Sequence, residues 1–288
     1  MATGKNIRTW HNGQWQDDDV AIIHAADHGA WLGTTVFDGA RYFEGVTPDL
    51  DAHCARLNRS AAALMITPTV TAAAMAEIIR DGLRRYPPEA AVYIRPMYWA
   101  IDGDQSGIVP REGATGFAIC LEEIPMADPE ASVRLTTTRF RRPVLESSVC
   151  NAKAGCLYPN NARMLMEARD RGYDNALVAD ALGNVAETAS ANVFMVRGGE
   201  VFTPIANGTF LSGITRARHI ANLSAAGYPV HETVLTFQDF HGADEVFMSG
   251  NMSKVTSVRE FDGTKYQHGP VTRHARALYW EWALSEKA

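Results

Sequence analysis

The chain has 288 residues, 46% hydrophobic and 21% charged, with a net charge of −6 and a pI near 5.8; that length suits two domains or one large α/β domain. The acidic balance, with basic residues only in short pairs such as Arg84-Arg85 and Arg141-Arg142, excludes a nucleic-acid partner, because a phosphate backbone is held by clustered cations. Met1–Trp10 contains no apolar leader and no apolar run nears the roughly 20 residues a bilayer needs, so the expectation is a cytoplasmic protein with no membrane partner.

In chain order, Arg8–Gln16 reads as a hairpin turned at Asn12-Gly13, which supplies two positive-φ positions. His28–Phe43 mixes three glycines with aromatics, which suggests close backbone approach more than a packed strand. Leu50–Ile66 spaces Leu57, Ala61 and Leu64 along one helical side, beside Arg56 and Arg59. Thr71–Tyr86 is a second helix, begun by Thr71 and stopped by Pro87-Pro88. Ala91–Trp99, with Arg95 inside an apolar run, and Gly116–Leu121 read as strands.

Glu122–Ala131 is polar with two prolines and reads as a linker, so the expected domains are 1–124 and 132–288, joined by 125–131. Val133–Phe140 resumes strand alternation, and Asn160–Gly172 fits a helix capped by Asn160. Asn175–Asp180, Val185–Glu187, Ala191–Arg197 and Glu200–Thr203 are strands. Thr215 is expected to cap a helix over Arg216–Ala226, with Gly227 past its end. Val230–Leu235, Glu245–Ser249 and Val255–Phe261 are strands, and Val271–Leu284 a terminal helix. Without a strict βαβ rhythm the chain reads as α+β or mixed α/β, not a doubly wound sheet. Cys54, Cys120, Cys150 and Cys156 have no metal-ligand spacing and are expected to be buried thiols, with no metal bound.

Chemistry gathers around Lys153, which has no charged neighbour between Glu146 and Arg163. A desolvated amine is a nucleophile toward an aldehyde or ketone. Glu187, on a strand, suits a pyridinium nitrogen. The Ser212–Thr215 turn offers free N–H groups at a helix start, where a phosphate is favourably held, and Arg56 suits a bidentate clamp on the same phosphate. Each has a bland alternative: a loop lysine in water, a surface strand acid, an ordinary cap, a solvated helix arginine. Together they describe a site for a small, anionic, aldehyde-bearing cofactor.

The segments HG…LGTTVFDG from His28 to Gly39, RLNRSA from Arg56, YIRP from Tyr93, NAKAGCLYPNN from Asn151, GYDNALVADALGNVAETASANVF from Gly172, LSGITR from Leu211 and DEVFMSG from Asp244 resemble the class IV, fold-type IV pyridoxal-phosphate aminotransferases, above all the branched-chain enzymes. The resemblance covers most of the chain in order. It implies a smaller N-terminal α/β domain and a larger C-terminal pseudo-barrel domain with the cofactor, pyridoxal 5′-phosphate, in the cleft between them, and a homodimer or higher homo-oligomer in which one subunit's loop helps to close the other's pocket.

Carried over residue by residue, the resemblance makes Lys153 the Schiff-base lysine and proton shuttle. Tyr158 becomes the phenol on the cofactor's 3′ oxygen, and Glu187 the partner of its ring nitrogen. Arg56 and the Ile214 and Thr215 backbone form the phosphate site, with Asn251 a further donor. Phe37, Gly39 and Arg41 line the substrate pocket, Tyr93 and Arg95 receive substrate carboxylates, and Met252 narrows the pocket. Three departures stand out: Leu32 where a tyrosine is common, Glu122–Ala127 in place of an aromatic stretch, and Asn251-Met252 in place of a small pair.

The implied reaction is ping-pong transfer of an amino group from a branched-chain L-amino acid to a keto acid, 2-oxoglutarate. Alternatives within the fold are a transaminase for D-amino acids or (R)-amines and an aminodeoxychorismate lyase, and outside catalysis a phosphate-binding protein that kept the fold.

Overall fold

The computed structural model describes residues 4–285; Met1–Thr3 and Glu286–Ala288, assigned by sequence to the ends of the two domains, lie outside the described residues. The chain forms two compact units, one running to Met126 and including Ala152–Leu157, the other comprising Ala127–Asn151 and Tyr158–Ser285.

In the first unit β1 (Lys5–His11), β2 (Gln14–Asp17), α1 (His28–Trp31), β3 (Thr35–Phe37), β4 (Ala40–Tyr42), α2 (Leu50–Ala63), α3 (Ala72–Leu83), β5 (Val92–Ala100) and β6 (Thr115–Glu123) follow in order. The six-stranded sheet runs β2-β1-β6-β5-β3, with β4 also beside β5, and its pairs are antiparallel. Asn12-Gly13 turns the first hairpin with φ of 53° and 83°, bringing Trp10 opposite Trp15.

Thr71 caps α3, its hydroxyl accepting from the Ala74 N–H at 3.2 Å. The face of the sheet bearing Val36, Ile94 and Tyr98 meets α2 and α3 through Cys54, Leu57, Ala61, Met75 and Ile79, all buried. Each fully buried leucine or isoleucine there contributes roughly 1.5–3 kcal/mol. Because strand side chains alternate, the opposite face carries Phe37 beside Met97, Arg95 beside Cys120, and Arg41, Tyr93 and Glu122 in one row.

Two expectations change here. The glycine-rich stretch forms short strands as well as close approaches, because Gly29 and Gly39 admit neighbours that a side chain would exclude: a β-carbon would lie 2.8 Å from Trp99 Cβ and 2.5 Å from the Tyr93 hydroxyl. The expected linker begins too early, since Glu122 and Glu123 finish β6, where Glu122 is buried.

The second unit contains β7 (Ser132–Thr137), α4 (Tyr158–Asp170), β8 (Asn175–Ala179), β9 (Val185–Thr188), β10 (Asn192–Arg197), β11 (Glu200–Pro204), α5 (Ile214–Ala225), β12 (Val230–Thr233), α6 (Phe237–His241), β13 (Glu245–Gly250), β14 (Lys254–Phe261), β15 (Thr264–Lys265) and α7 (Pro270–Ser285). Its nine-stranded sheet runs β12-β11-β10-β13-β14-β7-β8-β9, with β15 on β14. Parallel pairs (β11/β12, β14/β7, β7/β8) mix with antiparallel ones, and β9 also lies against β10 and β11. The sheet therefore curls, as the expected pseudo-barrel requires.

Phe194, Val196, Leu223, Phe247 and Ala275 form one core beneath α5 and α7; Leu135, Leu177, Met195, Phe240, Val246 and Phe261 form another. The mixed α/β expectation holds. Helix α4 starts at Tyr158, ahead of the expected Asn160 cap. Helix α6 was not anticipated, although Thr236 and Asp239 build a capping box for it.

Helix α5 is capped by Gly213, not by Thr215. Glycine there lets the turn lie close to β10, since a β-carbon at Gly213 would lie 2.1 Å from Asn192 Oδ1.

Candidate active site

Lys153 belongs to the first unit although its flanking chain does not. Ala154 bridges Val36 of β3, the Phe37 N–H donates to the Lys153 carbonyl at 3.1 Å, and the Lys153 N–H donates to Ser60 Oγ at 3.1 Å. The sequence reading placed 132–288 in one domain; these bonds are why Ala152–Leu157 cluster with the first unit instead. The lysine is half-buried, and its Nζ lies 4.8 Å from the Phe37 ring centroid. A β-carbon at Gly155 would sit 2.3 Å from Thr35 Oγ1, so that glycine lets the segment lie against β3.

Asp38, next to Phe37, has no exposed surface. It accepts from Arg56 Nε and Nη2 at 2.7 and 2.8 Å, pairs with His53 Nδ1 at 2.7 Å, and accepts from the Gly39 N–H at 2.7 Å. Burial works against its charge, but Arg56 and then His53 outweigh burial and hold the carboxyl below the usual range. Arg56, expected on a phosphate, is thus anchored to Asp38, which the sequence reading did not single out.

Of the expected substrate residues, Phe37, Gly39, Arg41, Tyr93 and Arg95 share this unit. Arg95 lies 5.8 Å from the Tyr93 ring centroid and pairs with Glu122. Arg41 is fully buried and donates from Nη2 to the Ile124 carbonyl at 2.6 Å and Met126 Sδ at 2.9 Å; burial lowers its pKa to about 10, against an opposing effect of Tyr93. Leu32 is exposed. Cys156 is exposed too, correcting the expectation of four buried thiols, because it sits in the 3-10 turn Gly155–Leu157, whose residues are not buried.

In the second unit Glu187 lies on β9, buried. Its Oε1 is 3.1 Å from Arg142 Nη2, and its Oε2 accepts from Asn192 Nδ2 at 3.3 Å. Arg142 also donates to the Thr188 carbonyl at 2.9 Å and Asn161 Oδ1 at 2.6 Å, so the counter-charge is itself fixed. Asn192 Nδ2 donates to the Leu211 carbonyl at 3.1 Å, tying the acid to the segment entering α5. Ile214 and Thr215 open that helix without a side-chain cap; their N–H groups have no intrahelical acceptor, and the helix dipole favours an anion there.

Asn192 pairs with Ser249 across β10 and β13 and crowds Gly213, so the start of α5 abuts the end of β13. The turn Asn251-Met252-Ser253 follows directly. Asn251 Oδ1 accepts from Lys254 Nζ at 2.6 Å, whereas Asn251 Nδ2 and Ser249 Oγ are buried without a hydrogen-bond partner. Lys254 has no exposed surface, and its Nζ lies 5.4 Å from the Tyr279 ring centroid. Tyr158 opens α4, 40% exposed.

These donors fit a phosphate: a helix start without a side-chain cap, an amide hydrogen with no protein acceptor, and a buried ammonium orienting that amide. Glu187 fits a protonated ring nitrogen. Sequence reasoning missed Lys254 and Arg142. An ammonium at a strand start after a polar turn looks like surface, and Arg142 looks like half of a basic pair; only the fold buries them.

Residues 35–261 match the family described as amino-transferase class IV. The branched-chain-amino-acid aminotransferase of Salmonella typhimurium is 31% identical over 296 residues, covering 97% of this chain and 94% of that protein. Among solved structures, an aminotransferase from Brucella abortus bound to the co-factor PLP is 58% identical with a TM-score of 0.95, over 96% of this chain and 99% of that one. A branched-chain aminotransferase from Thermoproteus uzoniensis with norvaline is 29% identical with a TM-score of 0.88, over 96% of this chain and 95% of that one.

Proposed function

Because the chain belongs to the class IV aminotransferases, we propose that it is a pyridoxal-phosphate-dependent transaminase moving an amino group between an amino acid, in first place a branched-chain L-amino acid, and a 2-oxo acid. The cofactor supplies an aldehyde for the amine and a ring that spreads the electrons left when the α-carbon loses its proton. Lys153 Nζ would be the group that holds the cofactor and moves a proton to and from the substrate α-carbon.

Glu187, with Arg142 and Asn192 fixing its two oxygens, would keep the proton on the ring nitrogen. By the resemblance, the Tyr158 hydroxyl would donate to the cofactor's 3′ oxygen. The Ile214 and Thr215 N–H groups and the Asn251 amide would hold the phosphate, with Arg56 added to them by the resemblance. Phe37, Gly39, Arg41, Tyr93, Arg95 and Met252 shape the substrate pocket. A second 2-oxo acid takes up the amino group in a ping-pong cycle; 2-oxoglutarate is the acceptor implied by resemblance, and Arg95 or Arg41 would have to meet its distal carboxylate. The reading includes a cytoplasmic homodimer or larger homo-oligomer, which light scattering of the purified holoenzyme measures.

The observation that carries the proposal is the clamping of the Lys153 main chain on both sides, to Ser60 and to Phe37. It fixes the Cα from which the amine extends. Lys153→Ala is expected to abolish transamination and the absorbance band near the visible edge that borohydride removes from the parent; normal turnover by the variant would refute the role. Half-reaction spectra with L-leucine, D-alanine and (R)-1-phenylethylamine distinguish the branched-chain reading from its neighbours.

A further inference from the structure

The last turn of β6 and the residues after it engage both guanidiniums on the lysine-bearing face of the first sheet. Arg95 and Cys120 are paired across β5 and β6, as are Tyr93 and Glu122, so Glu122 stands one step along its strand from the partner of Arg95, on the same face. Its Oε1 accepts from Arg95 Nη2 and lies 3.7 Å from Cys120 Sγ, while its Oε2 accepts from the Gly4 N–H at 2.8 Å. Glu122 is 2% exposed. The Gly4 bond fixes the carboxylate from behind, because a β-carbon at Gly4 would lie 2.7 Å from Glu122 Cβ and only glycine lets the chain come so near.

Arg41, in the same row as Tyr93 and Glu122, is turned to the Ile124 carbonyl and the Met126 thioether. Residues 122–126, read in the sequence as a departure from the usual aromatic stretch, thus supply a carboxylate, a carbonyl and a sulfur to both arginines.

Lys153 stands on this face as well. Its Nζ is 4.8 Å from the Phe37 ring centroid, and Phe37 pairs with Met97, two residues along β5 from Arg95. Two residues of strand are about 6.6 Å, which is the reach of a substrate whose second carboxylate lies a few methylenes from its reacting carbon.

We infer that Glu122 is a specificity-determining residue: a built-in carboxylate occupies the guanidinium that would receive a distal carboxylate, so the amino acceptor is a 2-oxo monocarboxylic acid, such as pyruvate, and not a dicarboxylate. The inference rests on the transaminase reading and replaces its dicarboxylate acceptor. An incoming distal carboxylate must either displace Glu122, leaving a buried acid without its cation, or sit against it as a like charge, and both discriminate by repulsion. A monocarboxylate places only methyl or alkyl groups here, beside Met97 and Tyr93, and meets neither cost.

The test compares kcat/KM for pyruvate and for 2-oxoglutarate in the holoenzyme and in Glu122→Gln, with L-leucine as donor. The parent is expected to favour pyruvate by about tenfold or more, and Glu122→Gln to shrink the ratio by about tenfold through a lower KM for 2-oxoglutarate, with kcat for pyruvate little changed. A merely structural role would move both acceptors together. A parent that prefers 2-oxoglutarate, or a variant with an unchanged ratio, overturns the inference.

Calorimetric binding of glutarate and butyrate to both proteins gives a readout independent of turnover. Glutarate binding strengthened in Glu122→Gln with butyrate unaffected supports the inference, and equal shifts overturn it. Loss of amino transfer with every donor and acceptor would count against transamination itself, and the binding arm would still decide the role of Glu122. Should Glu122→Gln fold poorly, Glu122→Asp, which withdraws the carboxylate by one methylene, is expected to move the same ratio in the same direction.

Discussion

In the first unit Asp38 is surrounded by Arg56 and His53, Arg95 by Glu122 and Cys120, and Arg41 by Ile124 and Met126, so the charges near Lys153 are met by protein groups. In the second unit the opposite arrangement surrounds the start of α5: helix N–H groups without a side-chain cap, and Asn251 Nδ2 and Ser249 Oγ buried without a partner. Polar groups left unmatched in a folded interior are costly, and an anion bound there would offset that cost. The first unit therefore matches its charges internally, whereas the start of α5 in the second keeps donors unmatched by protein side chains.

The sharpest way to break the contrast is to remove the centre of the first network. Asp38→Ala leaves Arg56 and His53 buried without their carboxylate and is expected to destabilise by about 3–5 kcal/mol, read as a lowered urea midpoint. Asp38 also fixes a sign in pH: its folded value lies below its unfolded value near 4. Its contribution is therefore complete above that pH and lost as acid protonates it.

A milder probe is acid between pH 6.5 and 4.5, where His219 of the second unit dominates. Burial lowers its pKa to about 4, with the nearby Lys254 ammonium acting in the same direction against the hydrogen bond to the Lys254 carbonyl, 3.2 Å away. The unfolded chain takes up the proton near 6.5 and the folded one only near 4. Stability is therefore full above 6.5 and falls as pH drops toward 4, by up to about 3 kcal/mol. Unfolding midpoints against pH should show this slope, and His219→Gln should flatten it.

The smallest expected effect tests the second unit's donors. Lys254→Met removes the ammonium that orients Asn251 and should cost about 1–3 kcal/mol, with weaker retention of pyridoxal phosphate on dialysis. If retention is unchanged while stability falls, Lys254 serves packing alone.

Where chemistry is local, the sequence was legible. Asn12-Gly13 marked its hairpin because the turn needs positive φ, and Thr71 marked a helix start because its hydroxyl caps it. Long-range contacts were not legible. Arg56 could be picked out, but not that Asp38, 18 residues away in sequence, would hold it. Thr215 looked like a cap, yet the limit at Gly213 is set by Asn192 on another strand. Lys153 and Glu187 were singled out from their surroundings and given their roles by resemblance, while Arg142 and Lys254 emerge only once strands bury them. Glu122 was read as linker because its acidity suggested solvent, and the Gly4 N–H and Arg95 that offset its burial lie far away in the chain.

The path of the backbone has one further consequence. The chain leaves the first unit after Met126, returns for Ala152–Leu157, and leaves again at Tyr158. The proposed catalytic amine is thus encoded within the gene segment for the other half, so a recombination event or truncation that transferred residues 1–126 alone would carry away the strands and strand the lysine. The strands that seat the proposed amine and the segment that carries it are thus separated along the chain.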